Sequence, residues 1–157
     1  MLFRSLVFIG NFNHSPNEDA VCWFAETVLP LINKARPDVI FHVIGANPPA
    51  SVCRLAGPNM VIHGFVEDLD SLLSTMTLSV APLRFGAGMK GKVVSAMRAG
   101  LPVVCTSIGS EGMQLEDRDH AYIADDAASF AESVLEILNS QAIWERLSQA
   151  GINLCAE

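Results

Sequence analysis

Between Leu83 and Val104 the chain sets two lysines among four glycines. The apolar run Leu78–Pro82 feeds a turn, Arg84–Gly91, that is rich in glycine and lysine and opens a helix of small residues near Gly91–Ala99. The helix stops at Gly100, and the chain returns into Pro102-Val103-Val104-Cys105-Thr106. Backbone amides at a helix N-terminus carry partial positive charge. With a basic side chain beside them and no bulk in the way, they cradle phosphate. Gly86, Gly88, Lys90, Gly91 and Lys92 are the candidate contacts.

Two familiar phosphate loops fit these residues only in part. Gly86, Gly91 and Lys92 satisfy G-x-x-x-x-G-K, but Val93 stands where a hydroxyl should hold magnesium, and no apolar strand ends in the aspartate that would hold it from the other side. Gly86, Gly88 and Gly91 also match G-x-G-x-x-G. That dinucleotide turn belongs after a first strand, where Gly10 stands alone, and the strand following the lysines ends at Thr106 with no acidic residue.

The elements that must position this turn alternate regularly. Strands are expected at Leu6–Ile9, Val39–Ile44, Met60–His63, Leu78–Pro82, Pro102–Thr106 and Ala121–Ile123. A helix capped by Asn17 should bury Val21, Phe24, Val28, Leu31 and Ile32, with Pro30 kinking or interrupting it. Short helices follow near Ala50–Leu55 and Asp68–Met76, then an amphipathic helix from Ala127 to Leu138 and a last one near Ala142–Ala150. Runs apolar throughout suit strands buried on both faces. Strand–helix alternation implies an α/β fold: a doubly wound, mostly parallel sheet of about six strands flanked by helices. The turns Gly10–Pro16, Gly45–Pro49, Gly64–Glu67, Arg84–Gly91 and Ser107–Gly112 would then share the ligand-binding edge. No linker or repeat divides residues 1–157, so one domain is expected.

Composition narrows the function classes. A net charge of −7 argues against nucleic acid as a partner. Mean hydropathy is high at +0.34, yet no run approaches the roughly 18 apolar residues of a membrane helix. Cys22, Cys53, Cys105 and Cys155 lie far apart without metal-ligand spacing, and read as reduced, buried small hydrophobes of a cytoplasmic protein. His42 and His63 fall inside strands and read as satisfied core residues.

Ala81-Pro82-Leu83, the glycine-rich turn, Lys92-Val93-Val94-Ser95-Ala96-Met97 and Gly100-Leu101-Pro102-Val103-Val104 resemble the C-terminal domain of GT-B-fold glycosyltransferases of the group 1 family. Gly10 with His14, Pro16-Asn17, Asp19-Ala20-Val21, Val43-Ile44-Gly45, Gly64-Phe65-Val66 and Glu111-Gly112 match that family in order, so the resemblance covers nearly the whole chain. It implies the donor-binding half of such an enzyme, with a nucleotide-diphosphate sugar as donor substrate and its diphosphate at the glycine-rich turn. Lys92 would neutralise the leaving diphosphate. Transfer would be retaining, with no bound metal or other cofactor. The acceptor-binding N-terminal domain would be a separate partner, the isolated half would not turn over alone, and any peripheral membrane association would run through the missing half.

The family commonly has two glutamates around this turn, and here Ala87 and Ser95 occupy those positions. A serine gives one hydrogen bond where a carboxylate accepts two from a diol. A catalytically degenerate nucleotide-binding or interaction domain is therefore the alternative function. Asn11 and Asn13 fill the first turn, where many relatives carry an arginine. Asn11 and His14 are candidate donor contacts there. Lys90 reads either as a second phosphate contact or as a solvated lysine, and Glu111 either as a sugar contact or as a helix cap near Gly112.

Overall fold

The computed structural model describes residues 3–86 and 90–157, position 90 by its backbone alone. Its six strands are β1 (Ser5–Ile9), β2 (Ile40–Ile44), β3 (Met60–Gly64), β4 (Leu78–Ala81), β5 (Val103–Cys105) and β6 (Tyr122–Ile123). They form one sheet of order β3-β2-β1-β4-β5-β6, and every pairing is parallel. Leu6, Val7, Phe8 and Ile9 are all buried, as are all four residues of β4, so the central strands are covered on both faces. The doubly wound α/β expectation holds.

The helices are α1 (Ser15–Trp23), α2 (Leu29–Ala35), α3 (Ala50–Cys53), α4 (Leu69–Leu73), α5 (Lys90–Arg98), α6 (Ala127–Leu138) and α7 (Gln141–Ala156). Right-handed crossovers place α1, α2 and α3 on one face of the sheet and α4 and α5 on the other. Phe24 anchors the first layer, its ring 4.5 Å from Phe41 and 5.8 Å from Phe130. α7 packs on α5 and α6. Its Trp144 stacks on Phe3 and donates from Nε1 to the Thr77 carbonyl at 2.8 Å, at the amino ends of the strands.

Four local expectations need correction. Asn17 does not cap α1. His14 holds that position, Pro16 lies in the first turn, and the buried Asn17 side chain donates to the Asn11 carbonyl at 2.7 Å. Pro30 does interrupt the helix, as expected, but the face it was expected to bury shifts. Its ring would meet the carbonyl of Glu26, and it has no N–H for that carbonyl. The chain widens into a π-helical turn, Phe24–Val28, and continues as α2. The extra residue rotates the face, so Leu31 is 43% exposed while Leu29 and Ile32 are buried. α7 runs on to Ala156 because Gly151 is a packing residue and not a stop. A Cβ there would lie 3.2 Å from the Met97 side chain of α5. Among the free cysteines Cys105 is buried, and burial pushes its thiol up to about 12, but Cys53 is exposed on α3.

His42 and His63 are only half-buried, and they satisfy each other. Nδ1 of His42 lies 2.9 Å from Nε2 of His63, with the rings stacked at 5.1 Å. Burial, and then the neighbouring imidazole, lower the His42 pKa below its ordinary 6.5. A lowered histidine contributes stability fully above the unfolded-state value and loses it as pH falls towards the folded one. The melting temperature should therefore fall between pH 7.5 and 5.5 more steeply in the wild type than in His42→Gln. Equal slopes in thermal melts would show that the His42 imidazole is not linked to folding.

Candidate functional site

Strand order reverses between β1 and β4, and parallel α/β sheets open a crevice for ligands at that point. On the β1 side the floor is backbone. Gly10 N–H donates to the Ile44 carbonyl at 2.9 Å, and Gly45 N–H donates to the Gly64 carbonyl at 2.8 Å. A Cβ on Gly45 would lie 1.6 Å from the Gly10 oxygen. The loops after β1 and β2 thus touch with no side chain between them. Above this floor Ile9, Gly10, Asn11, Gly45, Phe65, Leu69 and Lys92 are among the residues that line a pocket of about 270 Å³.

On the β4 side Ala81, Pro82 and Leu83 are buried, and Arg84 turns outward into a two-pronged ion pair with Asp19 (2.6 and 2.9 Å) while lying over Trp23. Asp19 holds this guanidinium firmly charged, so its cation is committed to α1. Gly86 follows at φ +90°, and a Cβ there would stand 2.5 Å from Pro16 Cγ. Only glycine combines that backbone with that approach, and it seats the turn against α1.

α5 then begins at Lys90. A Cβ on Gly91 would meet nothing within 4 Å, and the first turn carries no acidic side chain. Lys92 is exposed, faces the 270 Å³ pocket, and has no hydrogen bond or ion pair among the described residues. An ammonium with no partner among the described residues, set beside the first N–H groups of a nine-residue helix, is a composition that suits an anion.

The expected contacts divide. Lys92 and Asn11 line one pocket, Gly91 precedes Lys92 in the first turn of α5 without lining it, and Gly86 seats the preceding turn against Pro16. Gly88 and Ala87 lie outside the described residues, as does the Lys90 side chain. Asn11 keeps its side-chain oxygen in a local turn, accepting from Asn13 N–H at 2.8 Å. His14 is exposed at the start of α1 and does not line the pocket. Ser95 faces a second cavity, and its hydroxyl donates to the Gly91 carbonyl at 2.9 Å. Glu111 is brought to neither cavity. Its segment is a turn and not a helix start, with Glu111 N–H donating to the Ile108 carbonyl, so there is no helix for it to cap. Phe65, 75% exposed at the pocket rim, was missed. An aromatic directly after the strand-ending Gly64 was the available signal.

Among the described residues no three His, Cys, Asp or Glu side chains gather as metal ligands, and no helix is long and apolar enough to cross a membrane.

The family model for group 1 glycosyl transferases matches residues 4–140. An uncharacterised 44.6 kDa protein of the Klebsiella pneumoniae cps region is 27% identical over 140 residues, covering 83% of this chain and 36% of that protein. TarM superposes with a TM-score of 0.82 at 18% identity, over 99% of this chain and 32% of TarM. The C-terminal domain of LpcC from Francisella tularensis, a group 1 family protein, gives 0.75 at 15% identity over 98% and 84%. Anabaena HepE, solved with UDP-glucose, gives 0.73 at 14% over 97% and 43%. The chain thus spans about a third of the length of the curated relative and of TarM.

The two glycines of the site should respond oppositely to a methyl group. Gly45→Ala forces backbone from backbone and should cost stability at or above the top of the usual overpacking range of about 1–3 kcal/mol. Gly91→Ala enters open space and should leave stability unchanged or slightly raised. Urea unfolding of both variants checks the contrast.

Proposed function

The chain belongs to the group 1 glycosyl transferases, and from that premise we propose that it supplies the donor-binding half of an enzyme moving a sugar from a nucleoside diphosphate to an acceptor. The unpaired Lys92 ammonium at the first turn of α5, facing the pocket at the β1/β4 crevice, carries this reading. As the bond between the anomeric carbon and the diphosphate oxygen breaks, negative charge grows on the leaving diphosphate. Lys92 and the N–H groups of the first turn oppose that charge where it develops, which lowers the barrier. In this reading the counter-charge is the lysine's, and the transfer needs no metal. Retention of configuration follows the family pattern. Phe65 at the rim offers a π-face on which a nucleobase can stack. The UDP-glucose held by HepE is a ligand of the class proposed. The acceptor and much of the reacting surface belong, on this proposal, to a second domain.

One observation favours the alternative of a domain that binds without turnover: the Ser95 hydroxyl is already spent on the Gly91 carbonyl. Titrating UDP, GDP and ADP into the chain and into Lys92→Ala tests the main reading. The best nucleotide should lose about tenfold or more in affinity, the span of a charge-assisted hydrogen bond of about 1.5–3 kcal/mol. An unchanged Kd would move the phosphates elsewhere. Transfer of sugar once the acceptor-binding domain is joined would decide against the alternative.

A further inference from the structure

The first turns of α1 touch both banks of the crevice. Pro16 meets the Gly86 turn and Asp19 takes the Arg84 guanidinium, both on the β4 side, while Asn17 reaches the loop after β1. Asn17 does so through a buried amide, 7% exposed, that donates to the Asn11 carbonyl at 2.7 Å. It also packs on Gly10, where a Cβ would lie 2.8 Å from Asn17 Cγ.

The direction of this bond decides what the loop shows a ligand. The Asn11 carbonyl is held by Asn17 Nδ2 and by His14 N–H at 3.3 Å, so its lone pairs turn in towards α1. The Gly10 carbonyl is turned to Gly45 on the β2 side. The N–H and C=O of a planar trans peptide point opposite ways, so the Asn11 N–H is turned towards β4, on the other side of β1. That N–H has no acceptor among the described residues, and Asn11 and Lys92 line the same pocket. A released Asn11 carbonyl would be free to bring oxygen lone pairs to a place that suits an anion. The residue type at position 17 therefore matters. An aspartate has the same shape, but when ionised it has no proton to give and adds a charge of the wrong sign.

We propose that Asn17 is a positioning residue of the nucleotide site. It does not line the pocket itself. It holds the Asn11 peptide so that an N–H, and not a carbonyl, faces the diphosphate beside Lys92. This rests on the nucleotide reading above. Pro16 and Asp19 hold the opposite bank from the same helix, so α1 spaces the two sides of the crevice.

The test titrates the wild-type chain, Asn17→Ala and Asn17→Asp with UDP, GDP, ADP and inorganic pyrophosphate at pH 8. Both variants should bind the best nucleotide and pyrophosphate about tenfold more weakly, the span of one lost hydrogen bond to a charged group. In ¹H–¹⁵N spectra the Asn11 amide peak should move on addition of pyrophosphate in the wild type, and move least in Asn17→Ala. Acidification separates the donor from the charge. Once the carboxyl of Asn17→Asp takes up a proton, read from its ¹³C shift, its O–H can donate to the Asn11 carbonyl. Its binding should then recover past Asn17→Ala towards the wild type at the same pH. Recovery only to the alanine level overturns the assignment. So does an Asn17→Ala that melts lower yet binds as the wild type does. Thermal melts check both variants, and if Asn17→Ala is unfolded, Asn17→Leu, close in shape and without a donor, takes its place. Binding that needs Lys92 but ignores Asn17 defeats this inference alone. A wild type that binds neither nucleotide nor pyrophosphate defeats the donor reading with it.

Discussion

The oxygen of Gly10 occupies the place where a side chain of residue 45 would begin. That contact lets the loops after β1 and β2 lie flush, and the Gly10–Ile44 hydrogen bond holds them so. Every other part of the site is laid over this floor. The Asn17 side chain reaches back to the Asn11 carbonyl to fix the first loop, and the Gly86 turn comes down onto Pro16 from the other side. A crevice at a switch point is a general property of doubly wound sheets. What this chain adds is a floor without side chains, so a ligand resting on it meets backbone below and Lys92 alongside.

The charge of the whole molecule and the charge of the site have opposite signs. The chain carries −7 overall, while the pocket presents a lysine with no acidic partner among the described residues. Arg84 does not join it, because Asp19 takes that cation away, and Trp23 lies beneath it. The pairing fastens the β4 turn to α1, so this arginine works for the architecture while Lys92 stays open to a ligand.

Much of this was legible in the sequence, because it depends on local pattern. Continuous apolar runs marked all six strands, and their alternation with helices forced a parallel sheet with its loops on one edge. The glycine- and lysine-rich turn marked the helix that carries Lys92. What escaped depended on contacts made at a distance. Asn17 looks like a cap until the Asn11 carbonyl is seen above it, and the last helix, expected near Ala142–Ala150, runs on through Gly151 where Met97 packs against it. Glu111 shares the ligand edge in sequence order but is not brought to either cavity by its turn.

The β1–β4 seam has a further consequence, for the order in which the molecule comes together. β1 pairs with β2 along all five residues, whereas β1 and β4 are in register at two positions, Leu6 with Leu78 and Val7 with Ser79. β1 is made first and stands at the centre, so β1, β2 and β3 can assemble while the rest of the chain is still emerging. The crevice does not exist until β4 closes across an interval of some seventy residues, the costly kind of long-range pairing. The crevice therefore cannot form from the first half of the chain alone, and it lies on one of the sheet's shortest joins. A ligand spanning the crevice would act as a clasp on the whole sheet.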